Sequence, residues 1–117
     1  MNIISELHQR LPELASATTF HDIVLYLIEC VQRAKTEEFE AFFAFVEDRI
    51  IFSEPEARDQ LVVDLLEDLK NASSMRDLDY VVFENWLGPE THLAWRWLEK
   101  KWQGKQSLAD RTRERRL

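Results

Sequence analysis

Residues 19–31 read TFHDIVLYLIECV, and their apolar side chains recur at the spacing of one face of an α-helix. The stripe comprises Phe20, Ile23, Val24, Leu27, Ile28 and Val31. Thr19 precedes the stripe and Asp22 follows three positions later, which is the arrangement of a capping box at a helix N-terminus. The segment therefore predicts an amphipathic helix that buries one face in a core.

Similar periodicity continues on both sides of this stretch. Further helices are predicted from Ile3 to about Arg10, from Thr36, from Ser53 to the segment 71–74, from Met75 to Leu87 and from Pro89 to Gln103. The chain holds only two glycines and three prolines, too few for the many turns of a β-sandwich or barrel. The sequence predicts an all-α fold, either a five- to six-helix antiparallel bundle or a short stack of helical hairpins. Residues 1–104 are predicted to form a single helical domain, and residues 105–117 a basic, partly flexible C-terminal tail.

Three local patterns predict details of the helices. A capping box is expected at Ser53, with Glu56 as its reciprocal partner and a proline in the first turn. Gly88 is expected in the left-handed conformation that ends a helix. The four phenylalanines within residues 39–45 exceed what one helix face buries, which predicts either a helix packed between neighbours or an exposed aromatic.

The last helix is predicted to carry tryptophans on two faces. One face holds Leu93, Ala94, Trp97 and Leu98. Trp95 and Trp102 lie seven residues apart on another. Four tryptophans within 17 residues supply more area than one short helix normally buries, so one or two are expected at the surface as binding anchors.

The charge of the chain is concentrated in its middle. Residues 36–85 hold 14 acidic and 4 basic residues, whereas residues 105–117 hold 5 basic and 2 acidic ones. An acidic surface repels phosphates, so the sequence argues against a nucleic-acid ligand and favours a basic protein partner. The single cysteine, the lack of a signal-peptide pattern and the absence of a long apolar run predict a cytoplasmic protein with no membrane partner.

No catalytic pattern is visible in the sequence. The three histidines are widely separated and none has a helical His partner or a metal-type cysteine pair. Cys30 lies within an apolar stretch, where burial disfavours a thiolate. The carboxylates lack the Glu-x-x-His pairs of helical di-metal sites. We therefore predict no enzyme, no catalytic residue, no metal site and no cofactor.

Two segments together resemble a known pattern. Residues 59–69 read DQLVVDLLEDL, residues 86–90 read WLGPE, and a tryptophan-rich stretch follows over residues 93–102. This order resembles an uncharacterised family of small, all-helical bacterial proteins, some members of which look like immunity proteins of polymorphic toxins. The resemblance covers about residues 37–104, and it implies a helical fold and a toxin-neutralising role without indicating functional residues.

These observations predict a cytoplasmic immunity protein that neutralises a cognate toxin effector, a basic domain, through an acidic surface with aromatic anchors. Many toxic nucleases are basic because they hold nucleic acid, and an acidic partner mimics the phosphate charge. The predicted partner-binding residues are Glu37, Glu40, Glu47, Asp48, Asp64, Glu67, Asp68, Asp77, Asp79, Trp95 and Trp102. Two alternatives stay open: a helical scaffold, adaptor or self-associating module such as a homodimer, and an enzyme with an unfamiliar site in a deep pocket.

Overall fold

The computed structural model describes residues 3–101 of the chain. Its α-helices are α1 (Ile3–Arg10), α2 (Phe20–Gln32), α3 (Phe39–Phe52), α4 (Pro55–Gln60), α5 (Asp68–Met75) and α6 (residues 89–101). A π-helical segment, Leu61–Glu67, joins α4 to α5 without a break, and 3-10 helices cover Pro12–Leu14 and Tyr80–Trp86. Residues 3–101 contain no strand, so the predicted all-α fold is confirmed there. The predicted tail and Trp102 lie outside the described residues.

The capping box at the start of α2 is confirmed. The hydroxyl of Thr19 accepts a hydrogen bond from the backbone N–H of Asp22 at 3.1 Å, and the Asp22 carboxylate accepts one from the N–H of Thr19 at 3.3 Å. Hydrogen bonds from Thr18 contribute most to lowering the pKa of the Asp22 carboxyl. The helix buries its predicted stripe against the π-helical segment and α5.

α3 is packed on more than one side, because its apolar residues surround the helix axis. Phe39, Phe42, Phe43 and Phe45 are all at most 3% exposed, whereas Phe52 at the end of the helix is 74% exposed. The Phe39 ring lies 4.9 Å from the ring of Trp86, edge to face, and packs beside Phe83. The first of the two expected outcomes therefore holds: the helix lies between neighbours, and all four phenylalanines of residues 39–45 are buried.

The helix that follows α3 begins later than predicted. Ser53 has an extended backbone and ends α3, while Glu54 precedes α4 without a side-chain capping bond, so the predicted capping box at Ser53 is wrong. Pro55 lies in the first turn, as expected. The helix then widens into the π-helical segment, a rare conformation that recurs at functional sites.

The predicted α-helix from Met75 to Leu87 is also wrong. α5 continues through Met75, and Asp77 then adopts a left-handed conformation with φ of 55°. The N–H of Leu78 returns to the carbonyl of Ser73 at 2.9 Å, which closes the end of the helix. Only a short 3-10 helix follows, and Asp79 caps it by accepting a hydrogen bond from the N–H of Val81 at 3.0 Å.

Left-handed helix ends occur at non-glycine residues. Ala34 follows α2 with φ of 56°, and the N–H of Lys35 bonds to the carbonyl of Cys30 at 2.8 Å. Gly88, predicted to be left-handed, does not have a positive φ. Ala34 therefore carries a steric cost that a glycine would avoid.

We expect Ala34→Gly to raise the free energy of unfolding by about 0.5–1 kcal/mol, because glycine adopts the left-handed conformation without a clash of Cβ. Denaturant unfolding measures the change. Ala44→Gly is the matched control: Ala44 is exposed in the interior of α3, where the same substitution should lower stability by about 0.5–1 kcal/mol. A loss of stability in both variants would contradict the role given to Ala34.

Candidate protein-docking site

An open acidic groove lies between the first turn of α2 and the helix that the π-helical segment forms with α5. It has a volume of about 500 Å³. Its lining residues are Phe20, His21, Val63, Asp64, Glu67, Asp68 and Asn71. We call this feature the acidic groove, since three carboxylates line it.

Two of the three carboxylates of the acidic groove lie near a basic side chain. His21 Nδ1 lies 2.7 Å from a carboxylate oxygen of Asp68 and so joins α2 to α5. A carboxylate oxygen of Glu67 lies 4.0 Å from Nζ of Lys101 on α6. Asp64 is exposed, and the neighbouring Val63 is 47% exposed. The groove thus offers negative charge beside apolar surface, which suits the aliphatic stem and charged head of a lysine or arginine.

The acidic groove unites three predicted docking residues: Asp64, Glu67 and Asp68. Glu37 lies elsewhere, in a depression of about 330 Å³ that Arg33 and Lys35 also line, so its surroundings have mixed charge. In the same depression, burial and a hydrogen bond with Cys30 raise the pKa of Tyr26 to about 12. The side chains of Glu40, Asp48 and Asp77 are exposed on other elements.

Glu47, another predicted docking residue, is half-buried, and its carboxylate holds the start of α6. One oxygen accepts hydrogen bonds from the N–H and the hydroxyl of Thr91 at 2.8 and 2.7 Å, and the other accepts from the N–H of Glu90 at 3.0 Å. Free N–H groups at a helix N-terminus bind carboxylates strongly. Burial opposes ionisation of this side chain, but the three hydrogen bonds outweigh it, so the pKa of Glu47 lies below its ordinary value of 4.5.

The contact with Glu47 also accounts for Gly88. A Cβ atom at position 88 would lie 2.5 Å from Cδ and 2.7 Å from Cγ of Glu47. Glycine is therefore required for the close approach of this side chain, and not for a left-handed turn. The Leu-Gly-Pro-Glu motif marks the place where α6 docks on α3.

Trp95 is not an exposed anchor either. Its side chain is fully buried, and the buried face of α6 is formed by Thr91, Trp95 and Leu98. The predicted face is wrong for two residues, because Leu93 is 60% and Trp97 55% exposed. Both sets of residues fit helical spacing. The buried set could not be recognised because it begins with a polar residue, Thr91, whose buried hydroxyl donates a hydrogen bond to Glu47.

Trp95 packs against a buried charge that the sequence analysis missed. Lys70 is fully buried, and its Nζ lies 4.2 Å from the ring centres of both Trp95 and Tyr80. The same atom lies 3.2 Å from a carboxylate oxygen of Glu99. Burial lowers the pKa of Lys70, and the contact with Glu99 offsets part of that effect. A signal was present: Lys70 continues the stripe of Leu66 and Leu69 on the buried face of its helix.

Within residues 3–101, no group of three or more His, Cys, Asp or Glu side chains is arranged to hold a metal ion. No helix in that part of the chain is both long and apolar enough to cross a membrane. Comparison of the sequence and structure with family models, curated proteins and solved structures gives no match.

We expect Glu47→Gln to lower the free energy of unfolding at neutral pH by about 1–2 kcal/mol, because the ionised cap of α6 is lost. The folded-state pKa of Glu47 is depressed, so its contribution is present above pH 4.5 and disappears as the pH falls through the folded value. The stability difference between wild type and Glu47→Gln should therefore shrink in acid, as denaturant unfolding at several pH values would record.

Asp48→Asn is the matched control, since Asp48 is an exposed neighbour on the same helix. It should change stability by less than about 0.5 kcal/mol. Gly88→Ala should destabilise wild type but cost much less in a Glu47→Ala background, because the obstructing carboxylate is gone. Equal costs in both backgrounds would contradict the contact between the two residues.

For the buried pair, we expect Lys70→Met to leave the free energy of unfolding within about 1 kcal/mol of wild type, because the lost cation–π and ionic contacts are offset by the relief of burying a charge. Glu99→Gln should lower the free energy of unfolding by about 1–2 kcal/mol. This loss is smaller than the one expected for a fully buried pair, because the Glu99 side chain is 31% exposed. The double variant should recover most of that loss. A cost of Glu99→Gln that persists unchanged with methionine at position 70 would refute the pairing.

Proposed function

We propose that this chain is a cytoplasmic binding protein that neutralises a bacterial toxin, and that its acidic groove receives a basic segment of that toxin. The observation that carries the proposal is the convergence of Asp64, Glu67 and Asp68 on one open groove of about 500 Å³. The resemblance to small helical proteins of the immunity type supports the same toxin-neutralising role. The proposed role needs no catalysis and no cofactor.

The charge distribution supports a basic partner. Residues 36–85 carry a net charge of −10, and this region includes the carboxylates of the acidic groove. Such a surface speeds the approach of a positive domain and disfavours partners of negative charge. Toxin domains that cleave nucleic acid hold phosphates with basic residues, so a carboxylate-lined surface can occupy the same residues.

The shape of the acidic groove limits what it can hold. Its volume suits one or two long side chains rather than a folded element, and Phe20 and Val63 provide an apolar wall for their stems. Asp64 is exposed and available to a charged head, whereas Asp68 already contacts His21 and Glu67 lies near Lys101. We therefore assign Asp64 the direct contact with the partner.

The remaining exposed carboxylates contribute at longer range. Glu37, Glu40, Asp48 and Asp77 add to the negative field without lining the acidic groove. At physiological salt the field of an exposed charge decays over about 8 Å, so each affects the encounter more than the bound complex. Glu47, Asp79 and Trp95 are left out of the docking set, because their side chains serve the fold.

We expect the protein encoded by the gene immediately upstream, if it is a basic toxin domain, to bind the wild-type chain in calorimetry. Asp64→Lys should weaken that binding by about tenfold or more, which corresponds to about 1.4 kcal/mol. Glu40→Lys is the matched control: it makes the same charge change at an exposed position of α3 outside the acidic groove, and should weaken binding by about threefold or less at physiological salt.

Two results would count against the proposal. Absence of binding between the wild-type chain and the upstream-encoded protein removes the immunity role. Equal weakening by Asp64→Lys and Glu40→Lys would mean that overall charge, and not the acidic groove, governs binding.

A second candidate function is a self-associating helical module. It is supported by large apolar side chains left at the surface, among them Phe52 at 74%, Leu93 at 60% and Trp97 at 55% exposure. Isolated apolar residues are normal on a protein surface, but a contiguous patch marks an interaction site. Phe52, Leu93 and Trp97 do not line the acidic groove, although Lys101 contacts both the Trp97 ring and the Glu67 carboxylate.

A further inference from the structure

A second groove, also of about 500 Å³, lies where the end of α3, the helix formed by α4 and the π-helical segment, and the start of α6 meet. Its wall includes Ile51, Arg58, Val62, Glu90, Leu93 and Ala94. We call it the apolar groove, because its floor is formed by aliphatic side chains. Arg58 and Glu90 are its charged members.

Two of the exposed apolar residues lie in the lining of this groove. Ile51 is 43% and Leu93 60% exposed, and both line it. Phe52 follows Ile51 in the chain, and Trp97 lies one helical turn beyond Leu93 on α6. These four side chains expose on the order of 500 Å² of largely apolar surface in all, of which Ile51 and Leu93 contribute the part that lines the groove.

The apolar groove has two charged side chains of opposite sign. Arg58 and Glu90 are both exposed, and among residues 3–101 neither side chain has an ion pair or a hydrogen bond. Arg58 belongs to α4 and Glu90 to the first turn of α6, so the two charges come from different elements that border the same apolar surface.

We infer that a second copy of this chain covers the apolar groove around a two-fold axis, an inference that rests on the second candidate function. In a two-fold interface both copies use the same surface. If residue i of one copy contacts residue j of the other, then residue j of the first copy also contacts residue i of the second. A surface with one positive and one negative group beside an apolar centre satisfies this condition. Arg58 of each copy pairs with Glu90 of the other, and the apolar side chains cover one another.

The same geometry predicts a weak dimer that leaves the acidic groove open. The apolar surface is smaller than the ~800 Å² that each partner of a standard interface contributes, so a weak dimer is expected. Arg58 and Val62 face the apolar groove, whereas Val63, Asp64 and Glu67 of the same continuous helix line the acidic groove. A dimer can therefore present two acidic grooves.

The test uses the full-length chain in sedimentation velocity from micromolar to submillimolar concentration. Wild type should associate with rising concentration, and Leu93→Lys should stay monomeric. Met75→Lys is the matched control: Met75 is 84% exposed but does not line the apolar groove, so this variant should associate like wild type. Circular dichroism checks that each variant keeps its helical fold.

Charge exchange then tests the two-fold pairing. Arg58→Glu alone and Glu90→Arg alone should each weaken the dimer by about tenfold or more, since each places like charges at both contacts. Their equimolar mixture should associate again, because each contact then joins one Glu and one Arg. The double variant should dimerise with itself and should not pair with wild type.

The outcomes separate the inference from the function on which it rests. A wild-type chain that stays monomeric up to submillimolar concentration overturns both. A wild-type dimer that resists Leu93→Lys, or whose single charge variants are not rescued by mixing, overturns the two-fold pairing at the apolar groove and leaves self-association through another surface.

Discussion

The contact between the Glu47 carboxylate and the first turn of α6 is the constraint on which the rest of this structure depends. It joins α3, whose aromatic side chains fill the core, to the helix that carries Thr91, Trp95 and Leu98 into that core. With the start of α6 fixed, Trp95 is placed against Lys70, and Leu93 is left at the edge of the apolar groove. Both the buried and the exposed faces of α6 thus follow from one anchored helix start.

Lys70 provides a second connection of the same kind. Its ammonium group lies between the rings of Tyr80 and Trp95 and near the carboxylate of Glu99, so α5, the 3-10 helix and α6 meet at one buried charge. Burying a charge costs free energy that its contacts must offset, so this buried cation is weak evidence for stability. The carboxylates of the acidic groove belong to the same continuous helix as Lys70, so the packing around Lys70 also positions them. The described acidic residues therefore include some that hold elements together, such as Glu47, and some that lie exposed at the surface, such as Asp64.

The features predicted from the sequence are local ones. The stripe and capping box of α2 depend on neighbours within a few residues, and both are confirmed. The missed features depend on contacts between distant segments: Glu47 reaches Thr91 across 44 positions, and His21 reaches Asp68 across 47. Spacing alone could not separate a cap such as Glu47 from a surface charge such as Asp48. Nor could it reveal the π-helical segment, which changes which side chains of residues 61–67 face outward. The grouping of Asp64, Glu67 and Asp68 was visible, because helix geometry brings them together.

The most direct test of this account is an NMR titration that follows the Glu47 carboxyl carbon together with the backbone amides of Glu90 and Thr91. We expect the two amide protons to resonate downfield at neutral pH and to move with the Glu47 carboxyl as it is protonated below pH 4.5, in one shared transition. Amides that do not respond when Glu47 titrates, or a Glu47 pKa at or above 4.5, would contradict it.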